Sequence, residues 1–505
     1  MKRLEGVAKL TGRERYIDDL DLGDHLWGAT VRSPSPRGRI REVRFADDVD
    51  WSEFTIVDHT DIPGQNTVFV LEGDQPVLAA GETRHIHEPV LLLAHHSRDA
   101  VRRAAKKIEI VVDAEEPVFD FRVPPTPAQV QRGDDNVLKR LRIEKGDVEA
   151  ALAGAHQVVE GTYETGAQEH VYLETQGMAA WVEDGVVTVQ GSMQCPYYIV
   201  NAAERALGLD RDHLRVIWAP TGGGFGGKEE FPSVIAIHVA LLAMKSGRVV
   251  KLIYDRDEDM AATTKRHPSR VRHRTGLDAD GRLVAQDIEV VLDGGAYQTL
   301  SPVVLSRGII HAAGPYACDN VRITGEAVLT NTVPYGAFRG FGAPQTQYAN
   351  ERHMDVVARA AGLDPVELRR RNLIRDGQET STGQVIDDGT DRVAVMDLAL
   401  ERAEYDERRA AGGAPGVQRD APVSAPRHGS GDLLPWGRFY RRGRGLPGLA
   451  CRRCRIARRS RRDPLGLNRD GARGANGVHA DRCGAARLPA HGSRGGGSGY
   501  SPRTR

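Results

Sequence analysis

Apolar and polar residues alternate along most of the chain in two periods, and the change between them marks the predicted elements. Ser97 to Lys107 (SRDAVRRAAKK) has a helical period with Ser97 as a plausible cap, and the β-branched run IEIVVD that follows reads as a strand. Glu115 to Lys139 is rich in Pro and polar residues and reads as a linker. Beyond it strands and helices alternate. Gly146-Asp147 opens a short helix, VVEGTYET reads as a strand, and AAWVEDGVVTVQGS reads as a hairpin turning at Glu183-Asp184-Gly185. Pro196 to Leu207 predicts a helix, Leu214 to Ala219 a strand, and Phe231 to Lys245 a buried helix. VVKLIYD, the hairpin VRHRTGLDADGRLVAQDIEVVLD and VRITGEAVLTNT supply further strands. Helices are expected at Pro344 to Ala361 and at Pro365 to Asn372, where Asp364 caps and Pro365 is the first helical residue. After about Ala410 neither period is visible, and no internal repeat is found.

Composition changes this picture at one place. The 505 residues hold 69 Lys+Arg and 69 Asp+Glu, with 40 % hydrophobic and 27 % charged residues, an ordinary globular balance of two to four domains. The zero net charge conceals a split. Residues 406–505 contain 22 Arg, no Lys and seven Asp+Glu, so they carry +15 against −15 for the rest. The tail has one Ile and three Val and is expected to be a disordered Arg/Gly-rich segment, because it cannot bury enough apolar surface to offset its ordering entropy. Two readings of it stand: a basic arm for nucleic acid, or an unselected product of a shifted reading frame. The longest apolar run, Val234 to Met244, is too short to cross a bilayer, and no apolar leader follows the N-terminus. Five Cys make no disulfide framework; Cys451 and Cys454 form a CxxC, but Cys483, 29 residues on, completes no metal spacing. A cytoplasmic protein is expected.

The densest chemical signal is Thr221 to Glu230, TGGGFGGKEE, between a strand and a helix. Gly222-x-Gly224-x-x-Gly227 fits a dinucleotide fingerprint, yet the first acidic candidate, Asp255, lies 28 residues beyond Gly227 rather than about 20. A phosphate-loop reading meets Glu229 where a hydroxyl should hold Mg²⁺. Five glycines in six residues instead predict a backbone that comes close to a ligand with its N–H groups exposed. A plain strand-to-helix turn would need fewer. Thr221, Lys228 and Glu230 read as loop structure. A second glycine loop, Phe338 to Gln345 (FRGFGAPQ), also precedes a helix. Gln168-Glu169-His170 with Tyr172-Leu173-Glu174-Thr175, and GSMQCPYY at 191–198, complete the set.

Together these motifs resemble the molybdenum-cofactor-binding large subunit of the xanthine dehydrogenase and aldehyde oxidase family. The resemblance runs in order from GVAKLTGRERYIDDL through DIPGQN, GETRHIHEPVLLLAHHSRDAVRRAAKKIEI, QEHVYLET, GSMQCPYY, GGGFGGKE, DGGAY and FRGFGAPQ to DPVELRRRNLI, about 80 % of the chain. It implies an α+β multi-domain fold: a small N-terminal α/β hammerhead-like domain (1–115), a linker (116–139), the first molybdenum-cofactor-binding domain (140–405) and the tail (406–505). Gln194 corresponds to the amide that hydrogen-bonds an apical oxygen ligand of molybdenum, a neutral donor suited to that task. Gly224, Phe225 and Gly226, with Arg339 and Gly340, belong to the loops whose main-chain amides face molybdenum and pterin. Gln194, Phe225 and Arg339 are the residues expected nearest the metal, without ligating it directly. Glu229 and Arg307 correspond to the pair that holds a heterocycle, Glu at ring nitrogens and Arg at an oxygen that gains charge in the transition state. Phe341 matches a ring stacked on the substrate. Keeping both Glu229 and Arg307 favours a purine-like N-heterocycle of xanthine or hypoxanthine type over an aldehyde.

The implied cofactor is molybdopterin, in its simple or cytosine dinucleotide form. [2Fe-2S] clusters and FAD would sit on separate iron–sulfur and flavin subunits, since this chain lacks the Cys pattern for clusters. The family's general base is a Glu in a second cofactor-binding domain. No Glu follows Glu407 here, so no catalytic base is assigned to this chain and a frame shift near 405–415 is expected. An aldehyde oxidoreductase subunit and a non-catalytic fragment with a nucleic-acid-binding tail are the alternatives.

Overall fold

The computed structural model describes residues 5–410, which fold into three sheets and their covering helices. The Arg-rich tail beyond residue 410, with Cys451, Cys454 and Cys483, lies outside the described residues. The helix Tyr405–Ala410 carries regular structure just across the expected boundary at 405.

Local chemistry accounts for the element ends. The helix Arg98–Ala105 starts at Ser97, whose side chain accepts the Ala100 N–H. The helix Pro365–Asn372 starts at Asp364, which accepts from Val366 and Glu367. The strands Gly177–Glu183 and Val186–Ser192 form the expected hairpin, with Asp184 at φ +50° and Gly185 at φ +77° in its turn. Both central residues of such a tight turn need positive φ to match the strand twist. The helix Pro232–Ser246 is buried from Pro232 to Ala243, as its continuous apolar run demands.

The largest sheet has seven strands, in the order 214–219, 186–192, 177–183, 250–253, 26–32, 89–95 and 55–57. The strand Leu26–Arg32 pairs parallel with Val250–Ile253, so strands from the first hundred residues share one sheet with strands from the centre of the chain. Pro232–Ser246 packs on this sheet beside Pro196–Leu207, and their side chains fill the main core. A second sheet of five strands runs in the order 137–145, 321–329, 283–295, 269–277 and 157–165. The helices Ser301–Ile310 and Ala343–Ala360 cover it around a second core. The smallest sheet joins 38–45 with 82–83 and 108–114.

The structure differs from the sequence reading at several points, the helices Arg256–Ala262 and Ser301–Ile310 among them. The Pro-rich stretch 115–139 is fastened along its length rather than free: the Val118 N–H donates to Asn331 Oδ1 at 2.9 Å, Asn136 is buried, and Arg132 pairs with Glu72 at 2.8 Å. A helix at Arg392–Arg402, without a strong apolar stripe, was not expected. No helix among the described residues is long and apolar enough to cross a membrane.

Candidate active site

Both glycine loops leave a strand or bridge and enter a helix, and they meet. In the first, Gly223, Phe225 and Gly226 have φ of +99°, +55° and +103°. In the second, Gly340, Phe341 and Gly342 have φ of +94°, +53° and +93°. The Arg339 N–H donates to the Phe225 carbonyl at 2.8 Å, tying the two loops through the residues expected at their centres. Gly226 makes that approach possible, because a Cβ there would sit 2.8 Å from the Ala337 carbonyl carbon. Gly226→Ala is therefore expected to cost about 3 kcal/mol, combining a left-handed residue with backbone overlap. Gly247→Ala, at φ +65° with open space around it, should cost about 1 kcal/mol. Equal losses in urea unfolding would contradict the contact.

Gln194 lies under the first loop, with Gly224 so close that a Cβ would come within 2.5 Å of Oε1. Its backbone N–H donates to the Lys228 carbonyl at 2.6 Å. Its Oε1 accepts from Gly226 N–H at 2.9 Å and Lys228 N–H at 3.3 Å. These two donors orient the amide and leave Nε2, with no partner among the described residues, as its free donor. Phe225 is 48 % exposed and Arg339 is exposed, so the joined loops face outward.

The remaining predicted residues border the same loops. Glu229 is partly buried with no side-chain hydrogen bond among the described residues, and desolvation raises its carboxyl above the ordinary range. Burial, and after it the charge of Glu229, raises the pKa of both Cys195 and Tyr198. Arg307 is exposed on the helix Ser301–Ile310, which carries Gly308, and Gly308 backs onto Gly342. No ion pair joins Glu229 to Arg307 among the described residues, so both heads stay available. Phe341 is partly buried against the second core.

The structure also reveals supports that the sequence reading left as loop. Lys228 is fully buried and donates to Glu174 Oε2 at 2.8 Å and Ser192 Oγ at 3.0 Å. The same carboxylate oxygen accepts from Gly222 N–H at 2.6 Å. Burial lowers the Lys228 pKa although Glu174 opposes that shift. Gln176 donates to the Gly227 carbonyl at 2.5 Å, and His170 Nε2 sits 2.8 Å from the Ala337 carbonyl while its ring stacks on Phe338 at 4.2 Å. The segment 168–176 thus holds both loops with inward-facing polar side chains, leaving Leu173 94 % exposed. The motif itself was legible in the sequence, but not that its polar side chains face in.

Glu230, likewise read as loop, is buried and accepts the Ala337 N–H at 3.0 Å. Desolvation pushes its carboxyl up to about 7. A carboxyl raised on folding holds a proton that the unfolded chain releases, so its contribution is full below about pH 4.5 and lost as pH rises through about 7. Glu230→Gln is expected to remove a pH-dependent loss of about 3 kcal/mol between those limits. Chemical unfolding of both proteins across that range checks it; parallel profiles would contradict the assignment.

A sequence-family model for the molybdopterin cofactor-binding domain matches residues 130–373, and one for the aldehyde oxidase and xanthine dehydrogenase a/b hammerhead domain matches 11–116. The nicotinate dehydrogenase large molybdopterin subunit of Eubacterium barkeri is 33 % identical over 79 % of this chain and 95 % of its own length. A probable xanthine dehydrogenase subunit of Bacillus subtilis is 36 % identical over 74 % of this chain, but this chain covers only 50 % of it. The aldehyde oxidoreductase of Desulfovibrio gigas superposes with a TM-score of 0.75 at 26 % identity, covering 82 % of this chain and 47 % of that one. This chain therefore spans nearly all of one relative and about half of the other two. It belongs to the aldehyde oxidase and xanthine dehydrogenase family of molybdenum-dependent oxidoreductases and carries that family's molybdopterin cofactor-binding domain.

Proposed function

We propose that residues 140–405 form one wall of a molybdopterin site in a hydroxylase acting on a purine-like N-heterocycle, with water as the oxygen source. The observation that carries this reading is the Gln194 amide, fixed by Gly226 and Lys228 so that Nε2 alone is free, beside two interlocked glycine loops. That arrangement suits an oxygen-rich group: close backbone, a directed donor and no carboxylate bonded to the loops' outer face. The main chain of Gly224, Phe225, Gly226, Arg339 and Gly340 would line the cofactor, in its simple or cytosine dinucleotide form. Bound there, the molybdenum centre supplies two-electron oxidation of the ring. Glu229, its proton affinity raised by desolvation, would hold a ring nitrogen, Arg307 would receive an anionic ring oxygen, and Phe341 would stack on the ring.

Electrons would leave through iron–sulfur and FAD subunits in a cytoplasmic complex. The other wall and the general-base Glu would come from outside residues 1–410, either from a separate subunit or from a downstream shifted frame. The near-complete coverage of a relative named a large subunit favours the former. Translating all frames of the downstream DNA and the neighbouring genes tests this; finding no family-like second half there would sink it.

An aldehyde substrate is the second reading, favoured by the likeness to aldehyde oxidoreductase. The complete complex should turn over xanthine or nicotinate with kcat/KM about tenfold or more above benzaldehyde. The reverse order would replace the heterocycle reading with the aldehyde one.

A further inference from the structure

The buried cations of this fold differ in what holds them. Lys228 faces Glu174 and Lys265 faces Glu169, while Lys251 bonds the Asp18 and Leu20 carbonyls with no carboxylate in ion-pair range among the described residues. Arg266 has neither a carboxylate nor a full set of acceptors. It is 7 % exposed, its Nε donates to Gln168 Oε1 at 2.6 Å, and its Nη2 donates to the Arg339 carbonyl at 3.0 Å. Its guanidinium carbon lies 3.9 Å from the centre of the Phe338 ring. Nη1 is enclosed without an acceptor, and no carboxylate pairs with the guanidinium among the described residues. A buried charge with no counter-charge is costly, and the enclosed Nη1 leaves Arg266 only partly compensated by the described residues.

The guanidinium reaches the outer side of the second loop through the Arg339–Gly340 peptide. In a trans peptide the carbonyl and the following N–H point in opposite directions. Arg266 binds the carbonyl on the buried side, so the Gly340 N–H points away from it. Gly340 is exposed, at φ +94°, and its N–H has no acceptor among the described residues. A cation bonded to one end of a peptide makes the N–H at the other end a stronger donor to a negative atom. The exposed Arg307 and Arg339 side chains, also without ion-pair partners among the described residues, add charge of the same sign around the second loop.

We propose that Arg266 is a positioning residue that charges the second glycine loop from behind, so that the loop takes an anionic oxygen group, a carboxylate or a phosphate, at the Gly340 N–H. This deepens the hydroxylase reading and rests on its placement of the site. A carboxylate would belong to the substrate and a phosphate to the pterin cofactor.

The test is ligand-induced stabilisation of the purified chain, titrated with inorganic phosphate, nicotinate and the neutral nicotinamide. Wild type and Arg266→Lys should be stabilised by an anion and not by nicotinamide, and Arg266→Gln should lose about tenfold in apparent affinity for that anion. Stabilisation by phosphate alone assigns the group to the cofactor; stabilisation by nicotinate alone assigns it to the substrate. No response to either anion, or an anion affinity unchanged in Arg266→Gln, overturns the proposal. If Arg266→Gln does not fold, Arg266→Lys decides: anion affinity within about threefold of wild type supports it, and loss of binding in that charge-conserving variant overturns it. The titration needs no bound molybdenum, so its failure is separable from failure of the hydroxylase reading, which metal and pterin content decide.

Discussion

Lys228→Met is expected to destabilise the chain by about 3–5 kcal/mol, because it strands the Glu174 carboxylate in a buried site. The loss should exceed that of the neighbouring surface change Lys245→Met, since the Lys245 pair with Asp61 is solvent-exposed and contributes about 1 kcal/mol or less. Lys228→Met/Glu174→Gln should recover part of the loss, as no isolated charge remains. Urea unfolding of the four proteins, wild type included, checks this. A Lys228→Met loss below about 1 kcal/mol would mean that the buried triangle of Lys228, Glu174 and Ser192 does not hold the first glycine loop.

Arg307→Gln is expected to lower kcat/KM for the heterocycle by about 10²-fold, mainly through kcat. Its exposed guanidinium has no hydrogen bond or ion pair among the described residues, so the substitution should leave the unfolding midpoint within experimental scatter. Arg307→Lys should recover only part of the rate, since a compact ammonium cannot match the planar fork. A variant that keeps full kcat with a raised KM would show Arg307 to be a binding group for the ground state instead.

Much of the site was legible because its signals are local. Glycine density marks the two loops, and the short range of Asp364, Ser97 and the Asp184–Gly185 turn marks element ends. What escaped was long-range. The parallel pairing of Leu26–Arg32 with Val250–Ile253 joins segments more than 200 residues apart and leaves no periodic trace. Lys228 and Glu230 close a glycine-rich loop, where charged residues usually face solvent, yet their partners Glu174 and Ala337 come from distant segments. The Pro-rich stretch 115–139 has a linker's composition, but Asn331 and Glu72 that fasten it lie elsewhere in the chain. Side-chain availability at Gln194 Nε2 could not be read from sequence, because it depends on which amides occupy Oε1.

The most direct test of the cofactor wall is the molybdenum and pterin content of the chain co-purified with its partner subunits from cofactor-replete cells, measured for wild type and Gln194→Leu. Molybdenum and pterin in equal amounts, stoichiometric with the wild-type chain and reduced in Gln194→Leu, is the predicted result. A folded wild-type complex that holds neither would contradict it.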